Sequence, residues 1–180
     1  MIGDSPVLRA ALARRSHSSV TDSAPTREEL LPLVAAASRV ADHSSLRPWR
    51  LIEIRGSARA KLGKALGKAD GSRKPSEKPF RSSLLIAVVA SRKKSKVPAW
   101  EQDATAAGVA HTLSLLLDEA GWGVFWRTGE LTRTKPVRKV HKLKKNEELL
   151  GWLYVGGVRE KYLDARGKRP VDPNEFLTIL

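Results

Sequence analysis

Apolar residues recur at helical spacing in five segments of this chain. The second of these predicted helices begins after Thr26, because Glu29 three residues later completes a capping-box pattern. Shorter helices are predicted over residues 6–16, 57–66 and 135–142. The longest helix is predicted over residues 100–120, ended by a left-handed Gly121, and its apolar stripe consists of Val109, Leu113, Leu116, Leu117 and Ala120.

Four shorter apolar runs predict strands. Residues 84–90 form an unbroken run rich in branched side chains, which is typical of a strand buried on both faces. The other strands are predicted over residues 49–55, 123–128 and 149–155. Because strands and helices alternate, we predict an α+β fold in which helices flank a central mixed sheet.

The same pattern predicts how the chain is organised. We find no internal repeat and no linker, so one domain over residues 1–180 is expected. Residues 67–79 are rich in Lys, Gly, Ser and Pro and are therefore predicted to form a flexible loop. The tail from Gly157 onward shows no periodic apolar signal until Phe176.

A large basic excess changes this picture of an ordinary globular domain. The formal net charge is +14, and the cations concentrate in residues 59–81, 92–96, 133–145 and 159–169. Such stretches suit a nucleic-acid binder, but only Phe80 and Tyr162 offer aromatic rings on which bases could stack. No nucleic-acid-binding motif accompanies them. Nucleic acid is therefore not the expected main partner, and a solvated surface that attracts phosphorylated cofactors accounts for the charge.

Several classes of protein are disfavoured. The longest apolar run has seven residues, whereas a membrane-spanning helix needs about 20. No series resembling a signal peptide opens the chain, so a cytoplasmic protein without a membrane partner is expected. There are no cysteines, which excludes disulfides, thiolate metal sites and thiol nucleophiles.

Three segments carry polar groups that a hydrophobic core would not select. Arg14, Arg15 and Ser16 offer a phosphate several donors, although arginine at a helix C-terminus also complements the helix dipole. Residues 39–49 form a polar loop between a helix and a strand, where ligand contacts often lie. Residues 121–129 combine glycines with aromatic residues, which suits a planar ligand but also a core.

Asp42 and His43 in the second segment invite two further interpretations. A metal site is not predicted, because His17, His111 and His141 show no ligand spacing with His43. A serine hydrolase is disfavoured because the chain has no Gly-x-Ser-x-Gly elbow. A helix cap formed by the side chain of Asp42 or of Ser44 is as well supported as a functional role.

Together, the three segments resemble the nitroreductase family. The resemblance rests on the order Arg-Arg-Ser, Ala-Pro-Thr, Arg-x-x-Asp-His-x-Ser-x-x-Pro-Trp, Val-Pro-x-Trp-Glu-Gln and Trp-Arg-Thr-Gly, from about Leu12 to the Val171-Asp172-Pro173 tail. It implies an FMN-dependent nitroreductase-like fold and a homodimer with FMN shared between the chains. It also implies which residues bind the cofactor.

By this resemblance, Arg14, Arg15 and Ser16 contact the phosphate and ribityl end of FMN. Arg39 and His43 come from the partner chain, and residues 116–121 correspond to the place of the nicotinamide cofactor. The phosphate side is completed by Trp126, Arg127 and Thr128. Two departures from the family pattern concern the flavin site: Ser18-Ser19 where many members have an arginine, and Arg47 where they have glutamine. The loop over residues 67–79 is also short relative to close relatives, which leaves the substrate open.

The function implied is that of an NAD(P)H-dependent flavoenzyme. Hydride passes from NAD(P)H through FMN to an electron-poor small molecule, a nitro compound or a quinone, and no catalytic side chain is required. One alternative is other FMN chemistry on the same fold, such as dehydrogenation or flavin cleavage. A second is a basic nucleic-acid-associated protein whose flavin site has decayed.

Overall fold

Four antiparallel strands form one sheet in the computed structural model, which describes residues 5–162 and 171–180. The sheet has the order β1-β2-β4-β3. The α+β class is confirmed, but the expectation of a mixed sheet is wrong for these strands. An unbroken apolar run reports burial on both faces and carries no information about the direction of the neighbouring strands. The strands are β1 (Trp49–Ile54), β2 (Leu84–Ser91), β3 (Trp122–Arg127) and β4 (Glu147–Gly157).

Helices cover both faces of this sheet. The capping box is confirmed, since the backbone N–H of Thr26 donates to Glu29 Oε2 at 2.7 Å and that of Glu29 to Thr26 Oγ1 at 3.2 Å. Gly121 has φ 83° and ends the longest helix as predicted. The helices are α1 (Pro6–Ala13), α2 (Arg27–Ala37), α3 (Ser57–Ala69), α4 (Ala99–Glu119) and α5 (Lys135–Val140).

The core is divided by the sheet into two layers. Alternate residues of the fully buried β2 point to opposite faces, as strand geometry requires. Leu84, Ile86 and Val88 pack with α2 and α4, whereas Leu85, Ala87 and Val89 pack with α3 and α5. The two helical layers are therefore separate surfaces of the molecule, each with its own set of side chains.

The predicted flexible loop packs back on α3. This helix extends to Ala69, and the chain then returns along it, with the N–H of Ser76 donating to Gly63 O at 2.9 Å. A Cβ at Gly63 would lie only 2.7 Å from Ser76 O, so glycine is required for this approach. The return path fixes the position of Lys78, which follows directly.

One ion pair anchors β4 at its first residue. The guanidinium of Arg50 donates from Nε to Glu147 Oε1 at 2.7 Å and from a terminal nitrogen to Oε2 at 2.8 Å. The hydroxyl of Ser91 and the backbone N–H of Lys144 also donate to this carboxylate, whose side chain is only 2% exposed. The hydrogen bond from Arg50 is the main reason that the pKa of Glu147 is lowered to about 2.

We expect Glu147→Gln to destabilise the fold by about 2 kcal/mol at pH 7. The folded-state pKa of Glu147 lies below its ordinary value of 4.5, so this stabilisation is complete above pH 4.5 and lost as the pH falls toward 2. Urea denaturation at pH 7 and pH 3 should show the wild-type advantage shrinking at the lower pH. The control is Glu148→Gln, whose carboxylate pairs with Arg92 and Arg133 at a more exposed position. Equal losses in the two variants would contradict this account.

The C-terminal tail has many exposed apolar side chains. Most of the basic stretch predicted over residues 159–169 lies outside the described residues. Exposed tail side chains include Val171, Phe176, Leu177 and Ile179.

None of the helices in residues 5–162 and 171–180 is long and apolar enough to span a membrane.

Candidate functional site

The Arg14-Arg15-Ser16 segment follows α1 and lies along the edge of the sheet. The helix ends at Ala13, and the chain then pairs with the edge strand β3 through a 2.8 Å hydrogen bond from His17 N–H to Val124 O. Gly123 permits this approach, since a Cβ there would lie 3.3 Å from the His17 side chain. The segment therefore ends beside Val124, which lies two residues, or roughly 7 Å along the strand, from Trp126.

The charges of this segment act on the C-terminal end of α4. Burial raises the pKa of Asp118, and His17, the Arg15 backbone N–H and the cations of Arg14 and Arg15 oppose this rise. Burial also lowers the pKa of His17, which Asp118 opposes and the two arginines reinforce. His17 Nδ1 lies 3.8 Å from the Asp118 carboxylate, and a guanidinium nitrogen of Arg15 donates to Tyr162 O at 3.4 Å. The two cations thus lie in a partly desolvated region where an anion would be held strongly.

Trp126 and Arg127 project from opposite faces of β3. The Trp126 ring stacks edge-on against His111 of α4, with ring centroids 5.0 Å apart. The Arg127 guanidinium lies over the rings of Phe125 and Tyr154, at 4.6 Å and 5.2 Å from their centroids. Trp126 Nε1 and Arg127 Nε are buried and have no hydrogen-bond partner among the residues that the structure describes. Buried donors are rarely left unsatisfied, so both atoms point to a missing acceptor.

A cavity of about 440 Å³ opens at the end of β3, on the side of the sheet to which Phe125 and Arg127 project. Its wall includes Trp126, Arg127 and Thr128, so the third predicted segment is concentrated here. Lys78 adds a second cation. The sequence gives no signal for this position, because the composition of residues 67–79 predicts only a flexible loop. The remaining lining side chains are mainly apolar or aromatic, including Leu66, Phe125, Leu131, Trp152 and Tyr154.

An irregularity in β4 makes room for the end of β3. The register of β2 and β4 shifts between Val88 and Val89, opposite Gly151, whose φ is 141°. A Cβ at Gly151 would lie 2.8 Å from Trp126 Nε1 and would clash with the carbonyl oxygen of Arg127. The absence of a side chain at Gly151 therefore allows β3 to approach β4 closely at Trp126 and Arg127.

We expect Gly151→Ala to cost about 2–4 kcal/mol of stability and to weaken ligand binding at this cavity. The added methyl group must displace the backbone of β3, and the backbone conformation is itself unfavourable for alanine. Gly71→Ala is the control, because Gly71 has φ 71° but open space around its Cα. Urea denaturation should show a cost of only about 1 kcal/mol for the control. Equal costs would mean that the close approach at β3 is unimportant.

The loop that contains Arg39 and His43 lies at the other end of α4. Asp42 does not cap a helix; its carboxylate accepts from the backbone N–H of Arg47 at 2.7 Å and thereby closes the loop. Positive φ angles occur at Ser44 (60°), Ser45 (50°) and Arg47 (48°). Non-glycine residues in this conformation cluster at functional sites.

Two open cavities flank this loop. One, of about 710 Å³, is lined by His43 and by Trp100, Glu101 and Gly108 of α4. The other, of about 730 Å³, is lined by Arg39, Ser45 and Arg47. His43 Nδ1 lies 2.8 Å from Glu101 Oε2, which fixes the imidazole near the N-terminus of α4. Among the described residues, no group of three or more histidine or acidic side chains could hold a metal ion.

The predicted site residues do not form a single site within one chain. The Arg14–Ser16 segment bonds to Asp118, whereas His43 bonds to Glu101, and these two acids are 17 residues apart on α4. A helix rises 1.5 Å per residue, so the contacts are separated by about 25 Å. The structure brings the first and third segments together along β3 and leaves the second segment at the opposite end of α4.

Comparison with known proteins places this architecture in a family. A model described as the nitroreductase family matches residues 11–157. The chain is 32% identical over 180 residues to YdjA of Escherichia coli (strain K12), which is named as an NAD(P)H nitroreductase, and the alignment covers 95% of this chain and 97% of that relative. A protein of Haemophilus influenzae (strain ATCC 51907 / DSM 11121 / KW20 / Rd) with the same kind of name is 27% identical over 177 residues, covering 93% and 95%.

Solved structures share the fold. A nitroreductase-like family protein from Bacillus cereus superposes with a TM-score of 0.82 at 21% identity, covering 100% of this chain and 98% of that chain. The FMN and NADPH-dependent nitroreductase NfnB from sphigopyxis sp. strain HMH gives a TM-score of 0.74 at 17% identity, covering 98% and 99%. Fold and sequence thus define a nitroreductase-like α+β protein. The chain belongs to the nitroreductase family, which confirms the predicted family, fold and enzyme class.

Proposed function

We propose that this protein binds FMN and uses NAD(P)H to reduce an electron-poor small molecule of the nitro or quinone class. The observation that carries the proposal is the buried Arg127 Nε, which has no hydrogen-bond partner among the described residues and lies at a cavity of about 440 Å³. Trp126 Nε1 is a second such donor on the opposite face of β3, and the segment with Arg14 and Arg15 ends beside the same strand. The name of the relative YdjA supports the nicotinamide donor, and that of the structural neighbour NfnB supports both FMN and NADPH.

The residues present fit FMN. Arg14, Arg15 and Ser16 would hold its phosphate, because charge-assisted hydrogen bonds from guanidinium groups suit phosphate oxygens. Trp126, Arg127 and Thr128 would supply donors further along β3, and Lys78 would add a cation at the cavity. The volume lies within the range of ordinary cofactor and ligand pockets, about 300–1,000 Å³.

The second half of the site would come from a partner chain in a homodimer. The His43 contact at Glu101 lies about 25 Å along α4 from the Asp118 contact of the Arg14–Ser16 segment, too far for both to hold the same phosphate within one chain. Arg39 precedes His43 in the same loop region. Two α4 helices packed antiparallel about a two-fold axis would bring the Glu101 end of one to the Asp118 end of the other. The incompletely buried face of α4 carries small or apolar residues suited to such packing, Ala104, Gly108 and Leu115, and Trp100 near its start is 70% exposed.

When bound, FMN supplies the two-electron redox chemistry that the side chains of this fold lack. The chain's own contribution is to bind and orient FMN and to shield it from water. The Arg127 guanidinium packs over the Phe125 and Tyr154 rings, so its donors are preorganised. Residues 116–121, which lead from α4 into β3, remain our proposed contact for the nicotinamide cofactor. No catalytic side chain is assigned.

A direct experiment tests the proposal. Purified protein should carry a flavin absorption spectrum and should oxidise NADPH or NADH when a nitroaromatic compound or a quinone is supplied. Bound flavin without reduction of either acceptor would favour other FMN chemistry on this fold. Protein that neither retains nor rebinds FMN would overturn the proposal. A single domain over residues 1–180 and a cytoplasmic location remain predictions from the sequence.

A further inference from the structure

The helices of the two layers carry net charges of opposite sign. On the α2 and α4 side of the sheet, the two helices contain one cation, Arg27, and six acids: Glu28, Glu29, Glu101, Asp103, Asp118 and Glu119. On the opposite side, α3 and α5 contain no acid and seven cations: Arg59, Lys61, Lys64, Lys68, Lys135, Arg138 and Lys139. A generally solubilising surface charge would not be segregated in this way.

The fold joins two basic stretches that are distant in sequence. Helix α3 packs directly against α5, and Lys142, Lys144 and Lys145 continue the positive surface beyond α5. A groove of about 450 Å³ between β1 and these helices is lined by Arg50, Lys61, Lys142 and Lys144. Glu53 also lines it, but its carboxylate pairs with Arg27 and Arg55. We call this surface the α3–α5 face and define it by its exposed lysines: Lys61, Lys64, Lys68, Lys135, Lys139, Lys142, Lys144 and Lys145.

These lysines have no acidic partner within the part of the chain that the structure describes. No ion pair in residues 5–162 or 171–180 involves any of them, whereas Arg92 and Arg133 are paired with carboxylates. Residues 131–146 contain no aspartate or glutamate at all. The positive potential of the face is therefore not neutralised locally and is available to an external polyanion.

The apolar side chains of both helices point inward, which restricts the kind of polyanion. Leu62 and Leu66 of α3 and Val137 of α5 are buried against the sheet, so no apolar row remains that could insert into a bilayer. Phe80 is the exposed aromatic residue nearest the face, and Arg59 already lies over its ring at 5.4 Å. The face therefore lacks the exposed apolar row that membrane insertion requires and the free aromatic rings that base stacking requires. The lysines can instead contact regularly spaced phosphates.

We infer that the α3–α5 face binds the phosphate backbone of duplex nucleic acid without sequence preference, as an activity separate from the reductase site. Lys61, Lys64 and Lys68 extend about 10 Å along α3, and α5 lies beside it at roughly 8–10 Å. Such a patch matches four to six phosphates of a duplex, whose charge density is about one per 1.7 Å of axis. The expected binding is weak and strongly dependent on salt.

Fluorescence anisotropy with a labelled 20-base-pair duplex of arbitrary sequence tests this inference on the full-length protein. We expect micromolar binding at 50 mM salt, with log K falling against log salt at a slope of about −4 to −5. The variant Lys61→Ala/Lys64→Ala/Lys139→Ala should lose at least tenfold in affinity at 100 mM salt and flatten the slope by about 2 to 3. The matched control is Lys93→Ala/Lys94→Ala/Lys96→Ala, which removes three exposed lysines from the loop before α4.

The outcomes separate the possibilities. A control that retains wild-type affinity while the α3–α5 variant loses it supports the inference, and a second sequence should then bind equally well. Equal losses in both variants would show that only net charge matters and would overturn it. Binding to vesicles of 30% phosphatidylserine that exceeds binding to the duplex would overturn it in favour of a membrane surface. The FMN content of both variants should stay at the wild-type level, since neither set contains a proposed cofactor contact.

Discussion

The double variant Arg14→Ala/Arg15→Ala is expected to remain folded and to lose FMN. Each charge-assisted contact with a phosphate is worth about 1.5–3 kcal/mol, so losing two should weaken FMN binding by a hundredfold or more. The segment lies outside the regular elements, because α1 ends at Ala13 and α2 begins at Arg27. Little buried apolar area is removed, so the thermal transition of the apoprotein should change only slightly.

Titration of apoprotein with FMN, followed by flavin fluorescence, measures this loss. Arg15 also donates to Tyr162 O, so Arg14→Ala alone should be examined as the variant with less structural involvement. We expect it to lose about tenfold in affinity or more. Lys144→Ala/Lys145→Ala removes the same charge from two adjacent exposed lysines and should bind FMN like the wild type. Full flavin occupancy in the double arginine variant would refute the phosphate assignment.

Local signals in the sequence were sufficient for most elements of the fold. The capping box of Thr26 and Glu29, the left-handed Gly121 and the unbroken run of β2 each report a short-range physical requirement. Strand direction is different, because antiparallel and parallel neighbours can bury the same apolar run. The sheet was therefore predicted as mixed, whereas its strands pair antiparallel throughout.

The candidate site shows the same division between local and long-range information. The segments with Arg14, Arg39 and Trp126 could be selected from residue chemistry and family resemblance. Their distribution between the two ends of α4 could not, because it depends on which helix end each loop meets. Lys78 escaped notice because its position depends on the return of the chain along α3, through close approaches at Gly63 and Gly67. The segregation of charge between helical layers likewise becomes visible only once the helices are assigned to faces.

Flavin binding and dimerisation are expected to be one linked equilibrium. If Arg39 and His43 of one chain complete the site of the other, FMN binds the dimer and not the monomer, and it stabilises the dimer by mass action. Free FMN at about 100 times its dissociation constant contributes about 2.7 kcal/mol per site. Two sites together should lower the dimer dissociation constant roughly ten-thousandfold.

Sedimentation over a dilution series, with and without FMN, measures this linkage. The variant Arg39→Ala/His43→Ala should dimerise like the wild type without FMN and should show a much smaller response when FMN is added. The His43 side chain is 61% exposed in one chain, and Glu101 is its only ion-pair partner among the described residues, so its loss should scarcely affect the folding of that chain. The α4 variant Leu115→Arg should weaken the dimer and FMN binding together, because the arginine would lie on the incompletely buried face of the helix. A monomer that retains its FMN would contradict the shared site, and with it the roles proposed for Arg39 and His43.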